Sequence, residues 1–236
     1  WKAYVLNLSL SEEQLNKFVL YYELLIEWNN KINLTAITDI DVVFKKHFID
    51  SLSFIKAFNL SESLFLKNVI SLIDVGTGAG FPGLVLKIAF PGLKITLLDS
   101  LSKRVNFLND VIDRLDLNNI TAVHSRAEDF AKLSDYREQF DFCVSRAVAN
   151  LSTLSEYCIP FVKKDGYFVS YKSYKSDEEL SSASKAIHIL GGEVEREVDF
   201  YLPSSDIYRD LIVIKKVLST PKKYPRKAGL PSKEPL

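Results

Sequence analysis

The stretch LIDVGTGAGFPG, residues 72 to 83, sets four glycines into twelve positions behind an apolar run and one carboxylate, Asp74. A chain that only turns around needs one or two residues free to take positive φ. This density of glycine implies that something comes close to the backbone: a phosphate, a nucleoside or a neighbouring helix. Upstream, VISLIDV (69 to 75) is a short apolar run that reads as a strand. Downstream, Pro82 stands where a helix begins, because its missing N–H costs nothing at the first helical position. The glycines therefore sit in a strand, loop and helix junction.

The same rhythm continues beyond the loop. Strands are predicted at 69–75, 94–100, 120–126, 140–146 and 166–172, with helices over roughly 82–90, 102–116, 150–163 and 176–190. Alternation of this kind is the sequence form of successive βαβ units and a parallel sheet. Past residue 190 it stops: GEVEREVDFYL and RDLIVIKKV are separated only by PSSDIY. Runs that near to each other pair antiparallel, since a parallel crossover takes about a dozen residues or more. Five alternating strands closed by a hairpin match a class I methyltransferase fold, whereas a dinucleotide-binding Rossmann domain ends on a sixth parallel strand. The expectation is an α/β, Rossmann-like, mostly parallel seven-stranded sheet with a C-terminal antiparallel hairpin.

Ahead of the sheet, residues 10 to 34 read as a helix. Ser11 and Gln14 form a capping-box signature, and Leu15, Phe18, Val19, Tyr22, Leu25 and Ile26 recur at helical spacing. DIDVVFKKHFIDSLSFIKAF repeats the pattern, which makes an N-terminal helical cap too small to stand without the domain behind it. The division expected is a cap over 1–66, a Rossmann-like core over 67–218 and a basic, extended C-terminal arm over 219–236, its last residues rich in Pro and Lys and lacking apolar periodicity. No internal repeat is present.

Composition narrows the function classes. Across 236 residues, 47% are apolar and 25% charged, which is ordinary for a folded chain. Thirty basic and thirty acidic residues cancel, so attraction to nucleic acid must come from local segregation of charge. Cys143 and Cys158 lack metal-ligand spacing and sit in apolar contexts, which marks them as buried small hydrophobes, and no metal site is expected. With no leader and no run of eighteen apolar residues, the reading is cytoplasmic, with no membrane partner. Methionine is absent altogether, position 1 included, so short contiguous motifs carry the reading.

Gly76, Gly78 and Gly80 place a ligand against exposed N–H groups at the C-terminal edge of the sheet, where open α/β sheets bind ligands. Asp99 closes the next strand, where a carboxylate can accept from both hydroxyls of a ribose. The pair reads as a nucleoside site. Gly78, Gly80 and Gly83 can be threaded onto G-x-G-x-x-G, which keeps an NAD-dependent oxidoreductase as an alternative. S-adenosyl-L-methionine is favoured. Asp74 suits a cationic ligand better than a pyrophosphate, and taking the first glycine directly after the strand puts Phe81 where the third Rossmann glycine belongs.

IDVGTGAGFPG, LLDSLSKRVNFL, SRAEDF, SRAVANL and the terminal KKYPRKAGLP together resemble the bacterial 16S ribosomal RNA guanine-N7 methyltransferase family, known as RsmG or GidB. The resemblance runs nearly end to end. It implies S-adenosyl-L-methionine as cofactor, 16S rRNA or the small ribosomal subunit as partner, and guanosine 527 in the helix-18 loop as target. It also implies Gly76 and Phe81 along the methionine and adenosine side, with Asp99 and the adjoining Ser100 at the ribose. Ala127 and Glu128 would lie at the adenine edge, Arg146 at the methyl-transfer face, and His47 and Asp50 of HFIDS in the pocket. As a local pattern, His47 and Asp50 are equally a helical i, i+3 pair, and Glu128 equally an acid in a first helical turn.

No Asn/Asp-Pro-Pro-Tyr and no Pro-Cys nucleophile follows the fourth predicted strand. Guanine N7 needs neither, because its lone pair lies in the ring plane and no proton leaves before attack. A-form RNA buries N7 in a deep, narrow groove, so a loop or splayed-out guanine is the expected target. For the surrounding phosphates the tail offers Lys215, Lys216, Lys222, Lys223, Arg226, Lys227 and Lys233 against Glu234 alone, with Tyr224 as a stacking face. Lys163, Lys164, Lys172 and Lys175 extend that charge. On this reading, removing residues 221 to 236 weakens RNA binding and spares the cofactor, and the chain works as a monomer. A non-catalytic RNA-binding assembly factor with a vestigial nucleoside pocket is the remaining alternative.

Overall fold

The computed structural model describes residues 8–58, 70–146, 148–174 and 176–236. The expected boundary between residues 66 and 67, the first residue of the first predicted strand, and Lys175 lie outside the described residues. Helix α1 (Glu12–Ile32) opens with the expected capping box: Ser11 Oγ accepts from Gln14 N at 3.2 Å, and Gln14 Oε1 accepts from Ser11 N at 2.8 Å. The same side chain uses its amide hydrogens elsewhere, donating to the Ile88 and Ala89 carbonyls at 2.9 Å each. Those are orphan carbonyls at the end of a core helix, so one residue starts α1 and ties it to the domain.

The second helical segment is less regular than its periodicity suggests. It runs through α2 (Ile40–Val43), a π-helical turn (Phe44–Ile49), α3 (Asp50–Leu52) and a 3₁₀ turn (Ser53–Ala57). A π turn adds a residue to the ring and re-aims the side chains it carries; here these include His47, with Asp50 directly after it.

Strands β1 (Ser71–Val75), β2 (Lys94–Asp99), β3 (Ile120–His124), β4 (Phe140–Arg146), β5 (Val162–Lys172), β6 (Gly192–Tyr201) and β7 (Tyr208–Lys216) form one sheet of order β3-β2-β1-β4-β5-β7-β6. The first five are parallel, and β7 enters antiparallel between β5 and β6, as the hairpin spacing predicts. Strand order reverses at β1, which lies between β2 and β4 and so opens a crevice beyond its C-terminal end. The sheet carries α4 (Gly83–Ala89), α5 (Ser102–Arg114), α6 (Ala127–Phe130), α7 (Leu151–Cys158) and α8 (Asp177–Ile189), with α9 (Leu230–Lys233) near the C-terminus.

Side chains alternate across the sheet with the strand period. Leu72, Phe142, Val144, Val169, Leu211 and Val213 face a core shared with Phe18, Tyr21, Leu25, Phe48 and Phe54 of the N-terminal helices. Ile73, Val75, Cys143, Phe168, Ile212 and Ile214 face the opposite core, with Leu154 and Cys158 of α7. Both cysteines are buried there as free thiols, as their apolar contexts imply. The helix predicted to reach residue 163 stops at Cys158 instead, because Pro160 cannot continue its hydrogen-bond ladder, and β5 already begins at Val162.

The C-terminal residues are not the extended arm that their composition suggests. Arg137 donates to the Tyr224 and Thr220 carbonyls at 2.8 Å each, and Glu138 Oε1 accepts from Thr220 N at 2.7 Å. Thr153 Oγ1 donates to the Pro231 carbonyl at 3.0 Å, and Ser152 Oγ to that of Leu236 at 2.9 Å. The segment folds back along α7, and its missing apolar periodicity reflects the short α9 and the irregular backbone around it.

Candidate active site

The glycines serve different purposes. At Gly80 (φ +92°) a Cβ would collide with Leu84 and with the Tyr21 hydroxyl, which donates to the Ala79 carbonyl; at Gly83 it would strike Leu97 and Asp74. These two allow helices to pack closely. Gly76 (φ +70°) faces Val148, whereas a Cβ on Gly78 (φ +61°) would find nothing nearer than the Gly76 carbonyl at 4.0 Å. Only at Gly78 is the missing side chain open space, into which a ligand can come against the backbone.

Asp74 braces the loop from beneath. Its Oδ2 accepts from Thr77 Oγ1 at 2.6 Å and from Gly83 N at 2.8 Å, while Oδ1 is buried with no hydrogen-bond partner. Burial pushes its carboxyl up to about 6. It lines neither of the cavities described below, so its first role is structural, and a cationic ligand would meet its charge through the loop. Asp99 joins the loop to the next strand: Oδ2 accepts from Gly78 N at 2.9 Å and lies 3.4 Å from Arg104, and Oδ1 accepts from Leu101 N at 2.9 Å. One lone-pair direction on Oδ1 remains for a hydroxyl, and a second hydroxyl would displace the distant Arg104.

Two cavities meet at Gly76. The smaller, about 130 Å³, is lined by Gly76, Asp99, Ser100, Ala127, Glu128 and Tyr157 among others, which brings the predicted ribose and adenine residues together. Glu128 is already engaged, however, since its Oε1 accepts from Gly229 N at 2.7 Å. The larger cavity, about 440 Å³, is bordered by Gly76, Gly78, Phe81, His47, Asp50 and Arg146, the predicted pocket residues, together with Arg209, Tyr171 and Tyr174.

On that wall the π turn of the cap meets the ends of β4 and β7. His47 stacks on Phe81 with ring centroids 4.6 Å apart, and the Arg146 guanidinium lies over the same ring at 5.1 Å. Asp50 is buried between two cations: Oδ2 accepts from Arg146 at 2.8 Å and Oδ1 from Arg209 Nε at 2.7 Å. Burial, with Arg146 second, pulls His47 down to about 4, so its imidazole is neutral at pH 7. Arg146 stands 3.4 Å from His47 Nδ1 and can only donate, which makes Nδ1 the acceptor and Nε2–H the donor to Thr35 Oγ1 at 3.1 Å.

Sequence reasoning missed Arg209, which lies 159 residues from Asp50, and no local pattern marks it. It also missed Glu156, the sole charged residue of α7; an acid inside an apolar helix is a signal of a buried partner. That partner is Arg226, which donates to Glu156 through its backbone N, Nε and Nη2 at 2.6–3.0 Å. Arg226 is thereby committed to the scaffold, and Tyr224, buried, packs in the core rather than offering a face for stacking. Lys172 and Lys216 are likewise buried and paired, with Glu179 and Glu138, in place of the phosphate role their charge suggested. Lys222, Lys223 and Lys227 are exposed.

A sheet of this order, with a crevice over a glycine loop and a carboxylate closing the neighbouring strand, defines the Rossmann-like fold of S-adenosylmethionine-dependent methyltransferases. Among solved structures it is similar to a SAM-dependent methyltransferase from Aquifex aeolicus (TM-score 0.53, 20% identity, 76% of this chain and 95% of that one). It is similar also to YcgJ from Bacillus subtilis (TM-score 0.54, 14% identity, 73% and 100%). The family model for GidB, rRNA small subunit methyltransferase G, matches residues 14–207, and the chain belongs to that family. Relatives named ribosomal RNA small subunit methyltransferase G include those of Lachnoclostridium phytofermentans, 54% identical over 98% of this chain and 93% of the relative, and Alkaliphilus oremlandii, 52% identical over 98% and 94%. Membership sets aside the oxidoreductase and non-catalytic readings. Among the described residues no group of His, Cys, Asp and Glu could hold a metal ion, and no helix is long and apolar enough to cross a membrane.

Proposed function

We propose that this chain transfers a methyl group from S-adenosylmethionine to N7 of a guanine in small-subunit ribosomal RNA, with guanosine 527 as the target suggested by the sequence resemblance. The residues fit the cofactor. The open face of Gly78, the unpartnered Asp74 Oδ1 and the two cavities joined at Gly76 accommodate a cationic nucleoside lying across the loop. Asp99 and Ser100 would hold the ribose, and Ala127 and Glu128 the adenine. When bound, the cofactor supplies an electrophilic methyl group on a positively charged sulfur.

The observation that carries the reading is that, among the described residues of the large-cavity wall, both ring nitrogens of His47 and both oxygens of Asp50 are committed and leave no free base. An acceptor that must lose a proton before attack finds no acceptor for it there, and guanine N7 has no such need. Phe81, His47 and Arg146 form a flat, water-excluding wall, and the N–H groups that Arg146 has left can orient the guanine through its O6 edge. Lys222, Lys223 and Lys227 would hold neighbouring phosphates. A monomer acting in the cytoplasm on the small ribosomal subunit completes the reading.

Incubation of small subunits lacking the modification with labelled cofactor, followed by mapping of the labelled base, tests this directly. The label is expected on N7 of one guanine, with a single-turnover rate flat between about pH 7 and 8.5. Label on an exocyclic amine, or a rate that tracks one ionisation in that range, would refute the N7 assignment.

A further inference from the structure

One group that lines the small cavity is held by the C-terminal segment. Glu128 is buried, and its Oε1 accepts from Gly229 N at 2.7 Å. Ser232 Oγ, inside α9, donates to the Gly229 carbonyl at 3.1 Å and so fixes the peptide from which that N–H projects. Gly229 takes φ +82°, and a Cβ there would meet nothing within 4 Å. Glycine is used at this point because the backbone must present its N–H inward at positive φ, not because space is short.

We propose that residues 228–236 are a positioning element of the nucleoside cavity, the Gly229 N–H fixing the Glu128 carboxylate. The inference rests on the reading of this cavity as the adenosine subsite. A carboxylate held by one strong N–H bond keeps its second oxygen aimed in a fixed direction; without that bond it rotates, or draws water into the cavity. Docking of the segment is anchored independently of that bond, by Arg226 on Glu156 and by Arg137 on the Thr220 and Tyr224 carbonyls. A chain ending at Lys227 retains these anchors and loses the Gly229 bond to Glu128 together with the short helix and the Thr153 and Ser152 bonds to Pro231 and Leu236, so the test needs a background that separates the first loss from the rest.

The test is calorimetric titration with S-adenosylhomocysteine, which reads affinity without turnover. The chain ending at Lys227 is expected to bind it about tenfold or more weakly than the full chain. In a Glu128→Ala background the same truncation should change affinity less than twofold, because the group it positions is gone. A truncation whose penalty is undiminished in that background acts through general loosening, and that result would overturn the proposal, as would unchanged affinity in the truncated chain. Should the truncated chain fail to fold, the full-length Gly229→Pro variant, which lacks that N–H, decides: about threefold weaker binding, abolished in a Glu128→Ala background, supports the proposal, and unchanged binding overturns it. Failure of the full chain itself to bind S-adenosylhomocysteine would sink the cofactor reading, a result distinct from tight binding indifferent to the truncation.

Discussion

The glycine loop at 76–83 lines the crevice directly, the C-terminal segment at 217–236 reaches it through Glu128, and the two are held in opposite ways. The loop is braced by near neighbours: Asp74 holds Thr77 and Gly83, and Asp99 holds Gly78 from 21 residues away. The C-terminal segment belongs to no strand of the sheet, and several of its backbone groups go to side chains 70 to 101 residues distant, among them Glu156, Arg137 and Glu128. A segment satisfied in this way depends on charges that have themselves been buried to reach it. It follows that the loop tolerates loss of the tail better than the tail tolerates loss of one buried partner.

The largest effect that bears on this contrast is expected at Arg226. Its loss leaves Glu156 a fully buried carboxylate with no cation, and removing one member of a buried pair typically costs about 3–5 kcal/mol. Arg226→Ala should therefore lower the unfolding free energy measured in urea by that amount, while Glu156→Gln with Arg226→Met recovers part of it. A change below about 1 kcal/mol would show that the segment is only laid against the surface, as expected of exposed pairs.

Next is the brace under the loop, read through pH. Asp74 titrates near 6 in the folded chain and at 3.8 when exposed, so the folded state holds a proton that the unfolded state has released between those values. Its contribution is full below about pH 4, falls as pH rises through about 6, and stays lost above. The size is on the order of 2–3 kcal/mol. Asp141 and Glu179, both held low by lysine partners and hydrogen bonds, tilt stability the other way. The measurement is thus the difference between wild type and Asp74→Asn across pH 4 to 7, which should grow in favour of the variant as pH rises. A constant difference would mean that Asp74 stays ionised under the loop.

These two residues also show what a sequence can disclose. The loop, the closing Asp99, the parallel strands and the hairpin were legible because each is set by local chemistry: φ-permissive residues, strand period and connection length. His47 and Asp50 were flagged, but their roles were not, because a π turn aims them and Arg209 completes them from β7. The tail was misjudged because charge pattern reports how many cations a segment carries and not whether buried acids wait for them. Glu156 in α7 was the one mark of that, and it is intelligible only once α7 is known to face the core.

Within the loop, the glycines should separate by what their missing side chains make room for. Gly83→Ala forces a methyl against Leu97 and Asp74, an overpacking of about 1–3 kcal/mol in unfolding free energy with little direct effect on ligand. Gly78→Ala has space and pays only backbone strain, about 1–2 kcal/mol at positive φ, but its methyl enters the crevice. S-adenosylhomocysteine affinity at Gly78→Ala should fall tenfold or more beyond any loss at Gly83→Ala. Equal losses would mean that the ligand does not come against the loop at Gly78.

The smallest stability effect belongs to the tail again, at its exposed lysines. Lys222, Lys223 and Lys227 face solvent beside an arginine that does not, so they share composition with Arg226 and nothing of its environment. Changing all three to Ala should leave unfolding free energy within about 0.5 kcal/mol per site. Affinity for small-subunit RNA should fall nonetheless, and the slope of log affinity against log salt should become shallower by roughly 0.7 for each single-strand phosphate contact removed. If the slope is unchanged while the protein remains folded, the RNA is held elsewhere, on the face that carries Arg146 and Tyr174. The tail would then serve the cofactor cavity alone. A shallower slope with unchanged S-adenosylhomocysteine affinity would instead divide the segment between its exposed lysines, turned toward RNA, and its buried turn, turned toward the nucleoside.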